Sequence, residues 1–346
     1  MPKIPFQTLL PNPPLPTITP FRLATSVRSV ERSFSNRPMT ATDAREEALS
    51  AYPVPVSPLP PPGSRQAELE RAMSAASRSA LFALSDSDVV FRDDWLLVVN
   101  KPPGVYCESV LSSSSARIGS GSLLHLANRL DRDTSGLMVM VSVSTTDRAA
   151  AELARAFAER EVEKVYVASC VGTKPRWGRI DVASGHGRSR HGIWRVYAAS
   201  DVGRSLPGGS TVKRMETSIE VVSIGGRSGE KGEETVVVEG PPGVRSEACE
   251  SSCEGDDDRE VVLVRARPRS GRTHQIRLHC QYLGIPIRGD VKYGGAGEWD
   301  GAVCGGHLLH AESLAFVHPV TGARLELRAP PPSWWPAEAT PVLEIS

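Results

Sequence analysis

The sequence predicts an α+β fold, and two kinds of periodicity carry that prediction. Short runs that alternate in polarity or are wholly apolar, as strands require, recur at 89–100, 137–143, 163–171, 217–224, 261–266 and 325–329. Between them, helix-forming composition or apolar residues at helical spacing mark 64–84, 145–160 and 271–283. A third observation bounds the folded part. Half of the 28 prolines lie between Pro2 and Pro62, in runs such as Pro58-Leu-Pro-Pro-Pro62 that enter neither helices nor central strands.

Taken in order, residues 1–63 read as a disordered, proline-rich extension. Its first 38 residues carry Lys3, Arg22, Arg28, Arg32 and Arg37 against Glu31 alone, with several serines and threonines. That composition resembles an organellar transit peptide, so chloroplast or mitochondrion is the expected address. A tail with no address has the same composition, and a start at Met39 leaves cytoplasm or nucleus as the alternative. Residues 64–85 form a helical lead-in, rich in Ala and Leu without Pro or Gly. Val89 to Asn100 reads as two short strands around an acidic turn, and Lys101-Pro-Pro-Gly104 stops the second.

Ser112 to Ser122 reads as a serine- and glycine-rich loop. After the apolar strand at 137–143, Ala149, Leu153, Ala156 and Phe157 line one face of a surface helix over Thr145–Arg160. Glu163–Val171 alternates like a half-buried strand and Gly172 ends it. Two more strands, Thr217–Ile224 and Val261–Ala266, flank an acidic insert over 226–260 that is expected to be disordered. Gly271 to Leu283 is a turn followed by a helix, and Leu325–Ala329 is a closing strand. The main domain is thus expected over 86–336, with a short tail at 337–346.

At 40% apolar the chain can bury a sizeable core. Its formal charge of zero is a sum of unlike parts. Residues 229–260 hold eleven acids against Lys231, Arg245 and Arg259, while Val261 to Ala296 carries Arg265, Arg267, Arg269, Arg272, Arg277, Arg288 and Lys292 against Asp290 alone. Such a stripe suits a phosphate backbone, and an ordinary solvated arginine face has the same composition. Six cysteines in a chain this long set no disulfide framework. Cys249 and Cys253, the only close pair, lack the partners of a zinc site. No run approaches the ~20 apolar residues of a membrane span, so no membrane association is expected.

Four blocks occur in order: Leu97-Val-Val-Asn-Lys-Pro-Pro-Gly104; Arg129-Leu-Asp-Arg-Asp-Thr-Ser-Gly136; Gly271-Arg-Thr-His-Gln-Ile-Arg-Leu-His279 with Gly289-Asp-Val-Lys-Tyr-Gly294; and Leu309-His-Ala-Glu-Ser-Leu-Ala-Phe-Val-His-Pro-Val-Thr-Gly322. Together, over about 86–336, they resemble the RluA-type pseudouridine synthase family. The resemblance implies a mixed, largely antiparallel sheet with flanking helices, crossed by an RNA-binding cleft. It implies an isomerase that turns uridine into pseudouridine in structured ribosomal or transfer RNA, with no metal or organic cofactor, acting as a monomer.

By the same resemblance Asp131 is the nucleophile, at C1′ of the ribose or C6 of the base, and Arg277 pairs with it. Tyr166 packs against the uracil and handles the C5 proton. Arg129 fills the gap left by the extruded base, which fits the need to unstack a nucleotide before its glycosidic bond is reached. Arg272, His274, Gln275 and Lys292 are the further substrate-binding candidates. Each residue has a plainer reading: Asp131 as a turn aspartate, Tyr166 as strand packing, Arg129 as a surface ion pair.

Two departures stand out. The family usually has histidine before Arg-Leu-Asp, where this chain has Asn128, which donates and accepts hydrogen bonds but carries no charge. Many relatives also begin with a separate RNA-binding domain, for which residues 1–63 give no room. Asp131-Arg-Asp-Thr-Ser135 has a superficial likeness to the nucleophile motif of magnesium-dependent phosphatases, but lacks a good apolar strand before it. Asp133-Thr-Ser-Gly136 has one to aspartic proteases, with the wrong spacing and no second copy. A catalytically silent RNA-binding module is the remaining alternative.

Overall fold

In a computed structural model of the chain, the described residues are 52–118, 123–142, 147–228, 232–239 and 259–339. The strands are β1 (Val89–Arg92), β2 (Leu96–Lys101), β3 (Leu124–Leu126), β4 (Ser135–Ser142), β5 (Glu163–Thr173), β6 (Arg179–Arg188), β7 (Trp194–Tyr197) and β8 (Lys213–Ile224). They continue with β9 (Arg227–Ser228), β10 (Glu233–Val237), β11 (Arg259–Pro268), β12 (Glu298–Trp299), β13 (Ala302–Val303), β14 (Leu309–Val317) and β15 (Arg324–Arg328). The helices are α1 (Ser64–Ala80), α2 (Cys107–Ile118), α3 (Asp147–Ala158) and α4 (Gln275–Tyr282).

One 13-stranded sheet runs β1-β2-β4-β14-β5-β11-β8-β6-β10, with β3, β7, β9 and β15 paired at its sides. Only β4–β14 and β6–β10 are parallel, so the sheet is mixed and largely antiparallel. Strand β4 is buried along its whole length, which explains its unbroken apolar sequence. Leu137, Val139 and Val141 face Ala149 and Leu153 of α3, while Met138 and Met140 face Val110 of α2. A Cβ at Gly136 would collide with the Ala311 carbonyl, so the close approach of β14 to β4 requires glycine there.

Strand β5 divides the central sheet into a front and a back by the period of two. Ala168 and Cys170 face forward into the core that Ile276, Leu278 and Cys280 of α4 complete, with Tyr166 packed beside them. Val167 faces back with Leu263 and Trp335. Two connections leave this sheet at one end: residues 127–134 enter β4, and residues 269–274 join β11 to α4.

The structure overturns three assignments made from the sequence, and it adds strands β6, β7 and β14 where the sequence suggested none. Residues 52–63 are not a disordered extension: Val56 donates to the Val196 carbonyl at 2.8 Å, and buried Ser57 accepts from Arg195 Nε and Val196 N. Prolines that cannot enter a helix can still lie in an extended strap. Residues 112–118 of the expected 112–122 loop are helical, as part of α2, because Cys107, Val110 and Ser114 give a buried face at helical spacing with small side chains. The acidic insert is partly structured. Its Thr235-Val-Val-Val238 run, β-branched throughout, adds β10 beside β6 and buries Val236 and Val238. Residues 229–231 and 240–258 of the insert, the transit-peptide reading of residues 1–38, Met39 and the end of the tail lie outside the described residues.

Candidate active site

Asp131 sits in the connection between β3 and β4, where Thr134 N donates to its carbonyl at 3.1 Å and closes a turn. Three groups fix that connection. Asn128 imitates a strand residue: its Oδ1 accepts from Val139 N at 2.7 Å and its Nδ2 donates to the Leu137 carbonyl at 3.3 Å. The departure from histidine therefore leaves a neutral amide bonded to β4. Lys101, fully buried at the end of β2, donates to the carbonyls of Pro102, Val105 and Arg132. Burial lowers its pKa to about 8. Asp133 is buried and takes two donors from Arg132, at 2.9 and 2.7 Å.

Arg277, in the first turn of α4, is the centre of the site. Its Nη1 donates to Asp131 Oδ2 at 2.8 Å, while its Nε and Nη2 grip Asp290 Oδ2 and Oδ1 at 2.6 and 2.9 Å. The Arg277 and Asp290 side chains are 5% and 1% exposed, whereas Asp131 keeps 26%, so the outer carboxylate alone meets the cleft. The planar guanidinium suits this double duty. Burial works against the charged form of Asp131, but Arg277 outweighs it and holds the carboxyl well below the usual range. The nucleophile candidate is an anion at neutral pH.

His274 precedes α4 in the left-handed conformation, at φ 59°. Its Nδ1 lies 2.7 Å from the Tyr293 hydroxyl and its Nε2 3.8 Å from Asp131 Oδ1. Burial and the neighbouring Arg277 lower its pKa to about 3, so the imidazole is neutral at neutral pH. The tautomer in which Nδ1 accepts from Tyr293 leaves the Nε2 proton on the side of Asp131. Tyr166 lines the same cleft, of about 890 Å³, and burial together with Asp131 raises its pKa, so it stands there as a neutral phenol.

The remaining candidates fall differently. Arg129 lies exposed on the rim, paired with Glu108 at 2.7 Å. Arg272 lines the cleft and donates from Nε to the Arg214 carbonyl. Gln275 is buried and its amide is fully occupied within the protein, by Ser270, Arg272 N, the Glu216 carbonyl and Thr217. Lys292 does not line the cleft; its ammonium lies 5.9 Å from the centre of the Tyr293 ring.

The basic stripe at 265–292 is not one face. Strand alternation turns Arg265 and Arg267 to the back of the sheet, onto Glu312 at 3.0 Å and Glu220 at 2.8 Å. Arg269 lies 3.7 Å from Asp181, and Arg288 rests on back-facing Ser169. Four contributors were not assigned from the sequence: Asp290, Tyr293, Lys101, and His307, which bonds Thr134 at 2.8 Å. Asp290 and Tyr293 lie within a quoted block, and their signal was that block's acid and phenol standing shortly after Arg277.

Comparison with known proteins identifies the family. Residues 95–282 match the family model described as RNA pseudouridylate synthase. The chain is 54% identical over 303 residues to RNA pseudouridine synthase 1 of Arabidopsis thaliana, covering 86% of this chain and 91% of that one. RNA pseudouridine synthase 1 of Oryza sativa subsp. japonica is 53% identical, over 84% and 85% of the two chains. Ribosomal large subunit pseudouridine synthase D of Vibrio vulnificus is 29% identical, over 71% and 67%. The chain belongs to the RNA pseudouridylate synthase family, enzymes that isomerise uridine in RNA.

Proposed function

We propose that this enzyme converts uridine to pseudouridine in structured ribosomal or transfer RNA with Asp131 as its nucleophile and with no cofactor. The observation that carries the reading is the Asp131–Arg277 contact at the floor of a cleft also lined by Tyr166. The Asp131 carboxylate adds at C1′ while the C1′–N1 electron pair leaves with the uracil. The freed ring turns to present C5; the C5–C1′ bond forms as the bond to Asp131 breaks. The C5 proton then leaves and N1 takes one up. Addition at C6 is the alternative first step, with the same balance. Arg277 keeps the attacking carboxylate charged and aimed, Tyr166 supports the ring, and Arg129 on the rim occupies the vacated stack.

A ribosomal substrate is supported by the name of the Vibrio vulnificus relative. The test is to incubate ribosomal and transfer RNA transcripts with the enzyme and map pseudouridine. Asp131→Asn is expected to form none while binding RNA within a few fold of wild type, and activity is expected to persist in EDTA. Substantial modification by the variant refutes the assignment of the nucleophile. The basic first 38 residues support an organellar address. It is tested by whether they carry a fused fluorescent protein into plastids or mitochondria.

A further inference from the structure

With four of the 265–292 cations, Arg265, Arg267, Arg269 and Arg277, paired to carboxylates, unpaired positive charge is found elsewhere. Residues 184–198, Ser-Gly-His-Gly-Arg-Ser-Arg-His-Gly-Ile-Trp-Arg-Val-Tyr-Ala, contain no acid. They form the β6–β7 hairpin, closed by a turn in which Gly192 takes φ 73° and donates to the Ser189 carbonyl. Arg188, Arg190 and His191 at its tip are exposed. Among the described residues Arg188, Arg190, Lys213 and Arg272 have no carboxylate partner, and Arg188 and Arg272 bond only backbone carbonyls. Arg188 is held ready: its guanidinium sits 5.4 Å from the centre of the Trp194 ring, which itself stacks on His186 at 4.7 Å.

The register says where this arm points. Strand β6 is antiparallel to β8, and β8 to β11, so β6 runs in the direction in which β11 delivers the cleft loop. Val182 pairs with Thr217, and Thr217 with Pro268, which lines the cleft. From that level to Arg188 the strand continues for six residues, roughly 20 Å past the end of β11. Two bonds weld its base to the cleft wall: His186 Nε2 donates to the Thr273 carbonyl at 2.9 Å, and Ser184 bonds His279 of α4 at 2.9 Å. Lys213, opposite His186, and Arg272 on the cleft wall fill the interval.

We propose that the β6–β7 hairpin is an RNA-binding arm that holds the phosphate backbone of the strand flanking the target uridine, with Arg188 and Arg190 as its contacts. This rests on the reading of the substrate as structured RNA. Exposed guanidiniums on a hairpin tip suit phosphate, which carries no sequence information. Neither Arg188 nor Arg190 lines the cleft that holds Asp131, so the arm sets affinity and leaves chemistry alone.

The test is titration of a folded, end-labelled transfer RNA transcript with full-length protein over a salt series. Binding needs no turnover, so failure of the arm is separable from failure of the synthase reading, which the mapping experiment reports. The Arg188→Ala/Arg190→Ala double variant is expected to lose about tenfold in affinity, and its slope of log K against log salt to fall by about 1.4, two contacts at ~0.7 each. Arg188→Lys/Arg190→Lys should keep the slope, and Arg267→Ala, on the back of the sheet, should match wild type. Should the alanine variant fail to fold, arginine modification of wild type with phenylglyoxal replaces it, and RNA is expected to protect Arg188 and Arg190. Unchanged affinity and slope in the alanine variant, a lysine variant as weak as the alanine one, or no protection each overturn the proposal.

Discussion

Arg277 is a single cation between two carboxylates of unlike fate, and most of the site's chemistry follows from that. Asp290 takes two of its nitrogens deep in the protein, which leaves one to face Asp131 at the cleft. A carboxyl held below its ordinary value contributes stability that is present above the unfolded value of ~3.9 and is lost as pH falls through the native one. Wild-type single-turnover rates should therefore show no limb from Asp131 above about pH 4. In Arg277→Gln the cation is gone and two acids remain together, so Asp131 is expected to titrate upward and the residual rate to climb with pH through ~4 to 6. A variant with the flat wild-type profile would show that Arg277 does not set the charge of Asp131. The cost of the exposed buried acid should appear as roughly 3 kcal/mol of lost stability in denaturant melts.

At the scale of elements, helix α1 reaches both halves of the site. Arg71 donates to the carbonyls of Gly289, beside Asp290, and of Cys304, while Glu68 lies 3.5 Å from Arg132, beside Asp131. Arg71→Ala is expected to lower kcat about tenfold with little change in KM, because a small misplacement of Asp290 is passed through Arg277 to Asp131. Arg71→Lys, which can serve one carbonyl well, should recover part of it. A fall in melting temperature with kcat per folded molecule unchanged would make α1 only a structural brace. On the far edge, Val238→Ala should cost about 2 kcal/mol in chemical denaturation, since the side chain is fully buried beneath β10. No loss would return that run to the disordered insert. These two elements also show where the sequence was readable. Helix α1 was plain from its composition. The strand β10 was masked by surrounding acids, helix α2 by its serines, and β6 by Gly185 and Gly187. Those glycines are needed because a Cβ there would meet the Ala198 carbonyl and the Leu206 side chain.

For the molecule as a whole, the motifs located the chemistry better than they located the charge. Asp131, Arg277 and His274 come together from loops about 140 residues apart, and Tyr166 lines the same cleft from the middle strand. Linear charge counting failed at 265–292 because the period of two puts Arg265 and Arg267 together on the back of the sheet, where they pair with acids distant in sequence, Glu312 and Glu220. Gln275 and Asn128 show the same limit: a motif fixes which residue stands at a position, while the partners that occupy its amide belong to other strands. The central claim is that Asp131 opens the glycosidic bond of uridine in RNA. It is tested most directly by following tritium release from uracil-5-tritiated ribosomal and transfer RNA transcripts with wild type and Asp131→Asn. Release by wild type and none above blank by the variant is the predicted result; release by Asp131→Asn at a rate near that of wild type would contradict it.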